Sequence, residues 1–223
     1  MKRYVDRVKQ VSARSFLTRG IERLLRNYQQ KCQRKMIAGI RARLKARDVT
    51  ILSQNCIGGV FYHDMGLEFL SPTINLFFKE PDFIRFVTDL EHYLGCELQV
   101  SMGEAYPIGT LDDITVHFMH YKTCQEAVAS WERRKKRINP EKILVVATDR
   151  NGFDDDVFEL WRGIPYPKVL FTVNPRYAKD VGSVFYPQFQ DQPFVPDLIP
   201  GRHFYQNDVL LNAVNGLGGT RND

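Results

Sequence analysis

Apolar residues recur in steps of three and four at Leu17, Ile21, Leu24, Tyr28, Cys32, Met36, Ile40 and Leu44, and no proline interrupts the chain from Ser15 to Ala46. That is the period of a helix, in which residues three or four apart share a face. At 1.5 Å per residue the stretch spans roughly 50 Å if unbroken. Gly20 and Gly39 are its weak points and leave room for two helices instead of one. Val49-Thr50-Ile51-Leu52-Ser53 then forms a short β-branched run, and the polar, glycine-bearing Gln54-Asn55-Cys56-Ile57-Gly58-Gly59 after it reads as a loop. Glu80-Pro81-Asp82 opens a further helix with proline in its first turn. Phe83, Phe86, Val87, Leu90 and Leu94 supply its apolar face, and Gly95 ends it.

Cys96 to Val100 and Ile114 to Met119 read as strands, the second alternating through Ile114, Val116 and Phe118. Thr123-Cys124-Gln125-Glu126 has the form of a capping box, so a helix follows to about Ile138. Ile143 to Thr148 is a nearly continuous apolar run, as in a strand covered on both faces. Asp154 to Trp161 has a helical pattern, and Lys168 to Val173 is another buried strand. Strand and helix alternate, which favours parallel β-α-β units. The expected fold is α/β, a three-layer, mostly parallel, Rossmann-like sheet with a basic N-terminal helical extension. Ligands of such sheets bind at the carboxyl ends of the strands, which makes the loops after Ser53, Thr148 and Val173 the candidate site loops.

Charge changes this picture at one end of the chain. The total of 223 residues suits one domain plus an appendage, and the total charge is +5. Residues 1–47 carry 15 Lys and Arg against Asp6 and Glu22, a net +13, so the remainder carries −8. The organisation expected is a basic helical extension over 1–47, a single α/β domain over 48–215 and a tail over 216–223. No apolar leader follows Lys2 and Arg3, and no run approaches the roughly 20 apolar residues of a membrane span, so a cytoplasmic protein is expected. The cysteines Cys32, Cys56, Cys96 and Cys124 are widely spaced, contain no Cys-x-x-Cys pair and suit reduced thiols. The basic stripe over residues 15–46 either docks on its own domain or makes a peripheral contact with anionic lipid at the inner face of a membrane. Few aromatics interleave with its charges, which disfavours nucleic acid.

No Walker loop, Gly-x-Gly-x-x-Gly, His-Glu-x-x-His or Gly-x-Ser-x-Gly occurs. What remains is the segment Ser53 to His63, which places small donors, a thiol and an imidazole behind a strand. Its glycines, Gly58 and Gly59, let backbone amides approach a phosphate or oxyanion, and Asn55 donates through its side chain. Cys56 is a candidate nucleophile with His63 as its base, provided the loop folds them within reach. The competing reading makes Cys56 a small buried hydrophobe and His63 a structural donor. His117 and His120 fall on opposite faces of one strand, so they share no metal, and no metal set is expected. His120 ends its strand, where loops carry function, and Asp149 and Arg150 follow a buried strand where a carboxylate can hold a sugar hydroxyl. The run Arg133 to Arg137 is solvated charge at a helix end, with phosphate binding as the alternative.

Asn55-Cys56-x-Gly58-Gly59, Tyr62-His63, Ser71-Pro72-Thr73-x-Asn75, His120-Tyr121, and Trp131 with Arg134, Arg137, Ile138 and Asn139 resemble a bacterial family described as exopolysaccharide biosynthesis proteins. The resemblance covers about residues 15–210, and the family's molecular function is unknown. It implies a step in capsule or exopolysaccharide assembly: a transferase moving an acyl or glycosyl group to a polysaccharide precursor. The segment from Ser53 would hold a nucleotide-sugar or acyl donor, and Ser71, Thr73 and Asn75 would bind substrate hydroxyls. A non-catalytic partner that binds carbohydrate or nucleotide sugar within a synthesis complex is the alternative. The residues name no cofactor.

Overall fold

A computed structural model describes residues 2–218, with side chains from residue 21 onward. The chain divides into two compact units, Met1–Arg43 and Leu44–Asp223. The first is one unbroken helix, α1 (Lys2–Arg43). Its apolar side chains Ile21, Leu24, Leu25 and Tyr28 are exposed, among exposed Arg23 and Arg26. Among the described residues no helix is long and apolar enough to cross a membrane.

In chain order the second unit runs β1 (Thr50–Ser53), α2 (Ile57–Met65), α3 (Glu80–Thr88), α4 (Leu90–Gly95), β2 (Gln99–Met102), β3 (Pro107–Leu111), β4 (Ile114–His117), α5 (Cys124–Lys135), β5 (Ile143–Thr148), α6 (Asp155–Arg162), β6 (Lys168–Thr172), β7 (Ser183–Phe185) and α7 (Val209–Gly216). The fold is α/β. A four-stranded parallel sheet has the order β1-β5-β6-β7, and β2-β3-β4 form a small antiparallel sheet. Every residue of β5 is buried, which is why its sequence is an uninterrupted apolar run. The parallel strands follow one another across the sheet in chain order, without the reversal that creates the switch-point crevice of doubly wound folds. In this respect the order departs from the Rossmann-like expectation.

The capping box read at Thr123 is present, and Asp154 caps the helix that follows it. Thr123 accepts a hydrogen bond from the Glu126 amide at 3.2 Å, and Asp154 accepts one from the Val157 amide at 2.9 Å. The helix expected from Glu80 to Leu94 is divided at Asp89, whose backbone leaves the helical region (φ −125°, ψ 58°). Phe86, Val87, Leu90 and Tyr93 stay buried across the break, so the periodicity reads as one helix. The strand β3 was not read from the sequence, since Pro107 and Gly109 argue locally against it.

The largest difference is α2. Gln54 to His63 was expected to be a loop, but Ile57–Met65 is helical. Glycine is a poor helix former by propensity, and tertiary packing overrides it here. A Cβ on Gly58 would stand 2.9 Å from the Ser53 Cβ and 3.2 Å from the Ile51 Cγ2, so only glycine lets α2 lie this close to β1. Tyr62 fastens the contact from the helix side. Its hydroxyl donates to the Val49 carbonyl at 2.8 Å and accepts from the Ile51 amide at 2.7 Å, covering backbone groups on the outer edge of β1. Gly66, in the left-handed region (φ 67°), ends the helix. Just before it, buried Asp64 meets Arg202 at 2.6 and 3.2 Å and the Tyr205 hydroxyl at 3.1 Å. Removing one partner of a buried pair of this kind costs about 3–5 kcal/mol.

Candidate functional site

A cavity of about 310 Å³ lies at the carboxyl ends of β1 and β5, the edge where parallel sheets of α/β proteins bind ligands. Asn55, Cys56 and Ile57 line it from the junction of β1 and α2. Thr148, Arg150 and Asn151 line it from the end of β5, and Pro196 to Ile199 close another side, with Phe77 and Met119 completing the wall.

Buried polar groups hold these segments together. Gln54 is fully buried, and its Oε1 accepts from the Thr148 hydroxyl at 3.0 Å and from Asn55 Nδ2 at 2.9 Å, joining the tips of β1 and β5. Asp149 is buried and accepts three hydrogen bonds: Thr172 Oγ1 at 2.8 Å, the Val173 amide at 2.7 Å and the Val195 amide at 2.7 Å. A hydrogen bond to a charged group is worth about 1.5–3 kcal/mol, and without such donors a buried carboxylate would be strongly disfavoured. Arg150 donates to the Val195 carbonyl at 3.1 Å, and its guanidinium lies 5.1 Å from the centre of the Phe194 ring. The segment that carries Asp197 is thereby tied to the end of β5 at adjacent residues.

Against this frame stands a thiol and imidazole pair. Cys56 stands at the N-cap position of α2, and its Sγ lies 3.4 Å from His120 Nε2. Asn55 sets the local turn, since its Oδ1 accepts from the Ile57 amide at 2.9 Å. A thiol at a helix N-terminus faces the positive end of the dipole, which favours the thiolate. Burial and, after it, the negative charge of Asp197 act the other way and push the Cys56 thiol above its ordinary range. The resting group is therefore a thiol, with His120 Nε2 within hydrogen-bond reach. Glu80, fully buried at the start of α3, is also perturbed. Burial holds its carboxyl well above the usual carboxylate range, the Thr148 amide opposes this in part, and the charge of Asp149 adds to it.

The structure sorts the residues singled out from the sequence. Cys56, Asn55 and Arg150 line the cavity, and His120 joins them through its contact with Cys56. His63 does not reach Cys56: it sits two turns along α2, about 10 Å by helical rise, with its side chain 80% exposed. The imidazole that stands beside the thiol is that of His120 instead. Gly58 and Gly59 serve packing of the helix against β1 and Ile74. Ser71 and Thr73 are buried and bond each other at 3.0 Å, while Thr73 Oγ1 accepts from the Ser53 amide at 3.0 Å. They brace β1 from behind and cannot meet substrate hydroxyls. Ser53 is buried with them. Asn75 is an exposed turn residue in the left-handed region (φ 63°), and Asp149 is saturated by its three donors. Of the expected site loops, those after Ser53 and Thr148 line the cavity, whereas the residues after Val173 do not. Asn151 lies in the expected loop after Thr148, whereas Asp197 was missed, because nothing local marks a residue whose role comes from a segment more than 40 positions away.

Comparison with known proteins adds a family and no reaction. A family model described as "Domain of unknown function (DUF1919)" matches residues 27–215. An uncharacterized protein of Haemophilus influenzae is similar to this chain, 32% identical over 161 residues, which is 71% of this chain and 78% of that one.

The electrostatics yields a signed expectation. Because the Cys56 thiol is raised, its alkylation should climb with pH and reach half its limiting rate at a higher pH than an ordinary thiol. Asp197→Asn removes one raising influence and leaves burial in place, so the profile should move to lower pH and the rate at neutral pH should increase. Mass-spectrometric mapping of Cys56 labelling against pH measures this. An unmoved profile would show that Asp197 does not act on the thiol.

Proposed function

This chain belongs to the DUF1919 family, and within it we propose a thiol-dependent transferase that moves an acyl group from a thioester donor to a hydroxyl of a cell-surface polysaccharide precursor. The observation that carries this reading is Cys56 Sγ at 3.4 Å from His120 Nε2, on the wall of a cavity at the strand tips. A cavity of about 310 Å³ is at the lower end of the range for small-molecule sites and suits the reacting end of a donor. The polysaccharide assignment rests on the sequence resemblance to exopolysaccharide biosynthesis proteins.

The chemistry follows the order of the groups. Cys56 gives its proton to His120 Nε2 as Sγ attacks the donor carbonyl; the bond to the donor sulfur breaks, and that sulfur takes the proton from His120 and leaves as a thiol. An acyl thioester on Cys56 remains. An acceptor hydroxyl then passes its proton to His120 while its oxygen bonds the carbonyl carbon, and Cys56 leaves and recovers that proton. Arg150 has donors beyond the one given to Val195 and suits a phosphate of the donor.

Incubation of the full chain with a short acyl-coenzyme A, followed by intact and peptide mass spectrometry, tests the reading. One acyl group should appear on Cys56, Cys56→Ser should abolish it, and His120→Ala should slow it by about 10²–10⁴-fold. Saturable binding of the thioester or of a nucleotide sugar with no covalent label would instead support a non-catalytic binding partner.

The helix α1 suits a place for this reaction. Its exposed Ile21, Leu24, Leu25 and Tyr28 lie at helical spacing among basic residues, which fits an anionic membrane surface beside lipid-linked intermediates. The chain should sediment with anionic vesicles at low salt and be released as salt rises. Equal indifference to anionic and neutral vesicles would remove the membrane contact.

A further inference from the structure

Three potential metal ligands meet at a place that the cavity does not include. The His92 side chain leaves the helix α4, Cys96 follows that helix one turn later, and Asp112 sits at the tip of the β3–β4 hairpin in the left-handed region (φ 51°). His92 Nε2 is 3.0 Å from Asp112 Oδ2 and 3.7 Å from Cys96 Sγ, and the three donor atoms all lie within 4.8 Å of one another.

We propose that His92, Cys96 and Asp112 form a zinc site that clamps α4 to the β3–β4 hairpin. The distances carry the argument. Around a tetrahedral zinc ion with Zn–N and Zn–O near 2.05 Å and Zn–S near 2.3 Å, the nitrogen and oxygen stand about 3.3 Å apart and the nitrogen and sulfur about 3.6 Å. The observed 3.0 and 3.7 Å differ from these by a few tenths of an ångström, so the ligands need only small rotations to accept the ion. The donor set of one imidazole nitrogen, one thiolate sulfur and one carboxylate oxygen suits zinc, which is borderline in softness and imposes no geometry of its own. His92 and Cys96 are four residues apart, so one helical turn brings them to one side.

The hairpin is already held beside the helix by neighbouring contacts. Tyr93 donates to Asp113 at 2.7 Å, and Arg85 reaches Asp113 at 3.3 Å. These contacts fix Asp112 opposite His92 before any ion arrives. Half-exposed side chains on His92 and Asp112 give the ion a path in and leave its fourth position to water. Binding requires the thiol and the imidazole nitrogen to lose their protons, so zinc uptake releases protons and strengthens with pH.

Cobalt(II) titration of the full, metal-stripped chain, followed by zinc competition, tests this. A thiolate-to-cobalt charge-transfer band and the visible bands of four-coordinate cobalt should appear at one equivalent and be displaced by zinc. Cys96→Ser should remove the charge-transfer band, and His92→Ala and Asp112→Asn should each weaken zinc binding by at least about 10-fold, in keeping with the loss of one ligand or its support. Cys56→Ser should leave the band intact, which separates this site from the cavity thiol. Zinc should also raise the melting temperature of the wild-type chain and not that of Cys96→Ser. A spectrum without the charge-transfer band, or one that survives Cys96→Ser, would overturn the proposal.

Discussion

The carboxylate of Asp149 accepts hydrogen bonds from Thr172, Val173 and Val195, three groups that come from two distant parts of the chain. It sits at the end of β5, so the same charge fixes the end of β6 and the segment that walls the cavity. The preference for three donors follows from burial, because a carboxylate withdrawn from water must find equivalent partners inside the protein. Arg150, its neighbour in sequence, bonds Val195 from the other side. Through this segment Asp197 is brought close enough to influence Cys56. A structural carboxylate thus sets the electrostatics of a group it does not touch.

A second constraint acts from the opposite wall. The approach of α2 to β1 has room for no side chain at Gly58, and that approach places the first turn of the helix, with Cys56 at its head, over the strand tip. His120 arrives from the turn after β4, part of the small antiparallel sheet, which is joined to the strand tips by the pairing of Phe77 with His117 and by the bond from the Phe78 amide to Gln54. The thiol and the imidazole therefore meet because two sheets are coupled. In the proposed chemistry the helix dipole favours negative charge on sulfur while burial and Asp197 oppose it. This balance keeps the nucleophile protonated until His120 takes its proton.

Much of the frame was legible before the structure. The run Ile143 to Thr148 announced a central strand because both faces are buried, and Thr123 announced a helix start because its side chain accepts an amide hydrogen. Cys56 and its neighbours were singled out, and so was His120, although in a different role. The failures have one cause, which is that distant contacts overrode local signals. Gly58 and Gly59 looked like loop residues until β1 and Ile74 were packed against them. Asp149, Ser71 and Thr73 looked like ligands for a sugar, whereas each is consumed by satisfying buried backbone or neighbouring hydroxyls. His92 and Cys96 were not paired in the sequence, since Cys96 read as the start of a strand, and Asp112 lies 16 positions further on in a hairpin that the sequence did not reveal.

In the proposed chemistry His120, and not the nearer-in-sequence His63, governs the reactivity of Cys56. Its most direct measurement is the alkylation rate of Cys56 at neutral pH, read by peptide mass spectrometry in the wild-type chain, His120→Ala and His63→Ala, with Cys32, Cys96 and Cys124 as internal references. His120→Ala should slow Cys56 selectively, and His63→Ala should leave it unchanged. A Cys56 rate indifferent to His120, or one lowered by the loss of His63 instead, would contradict it.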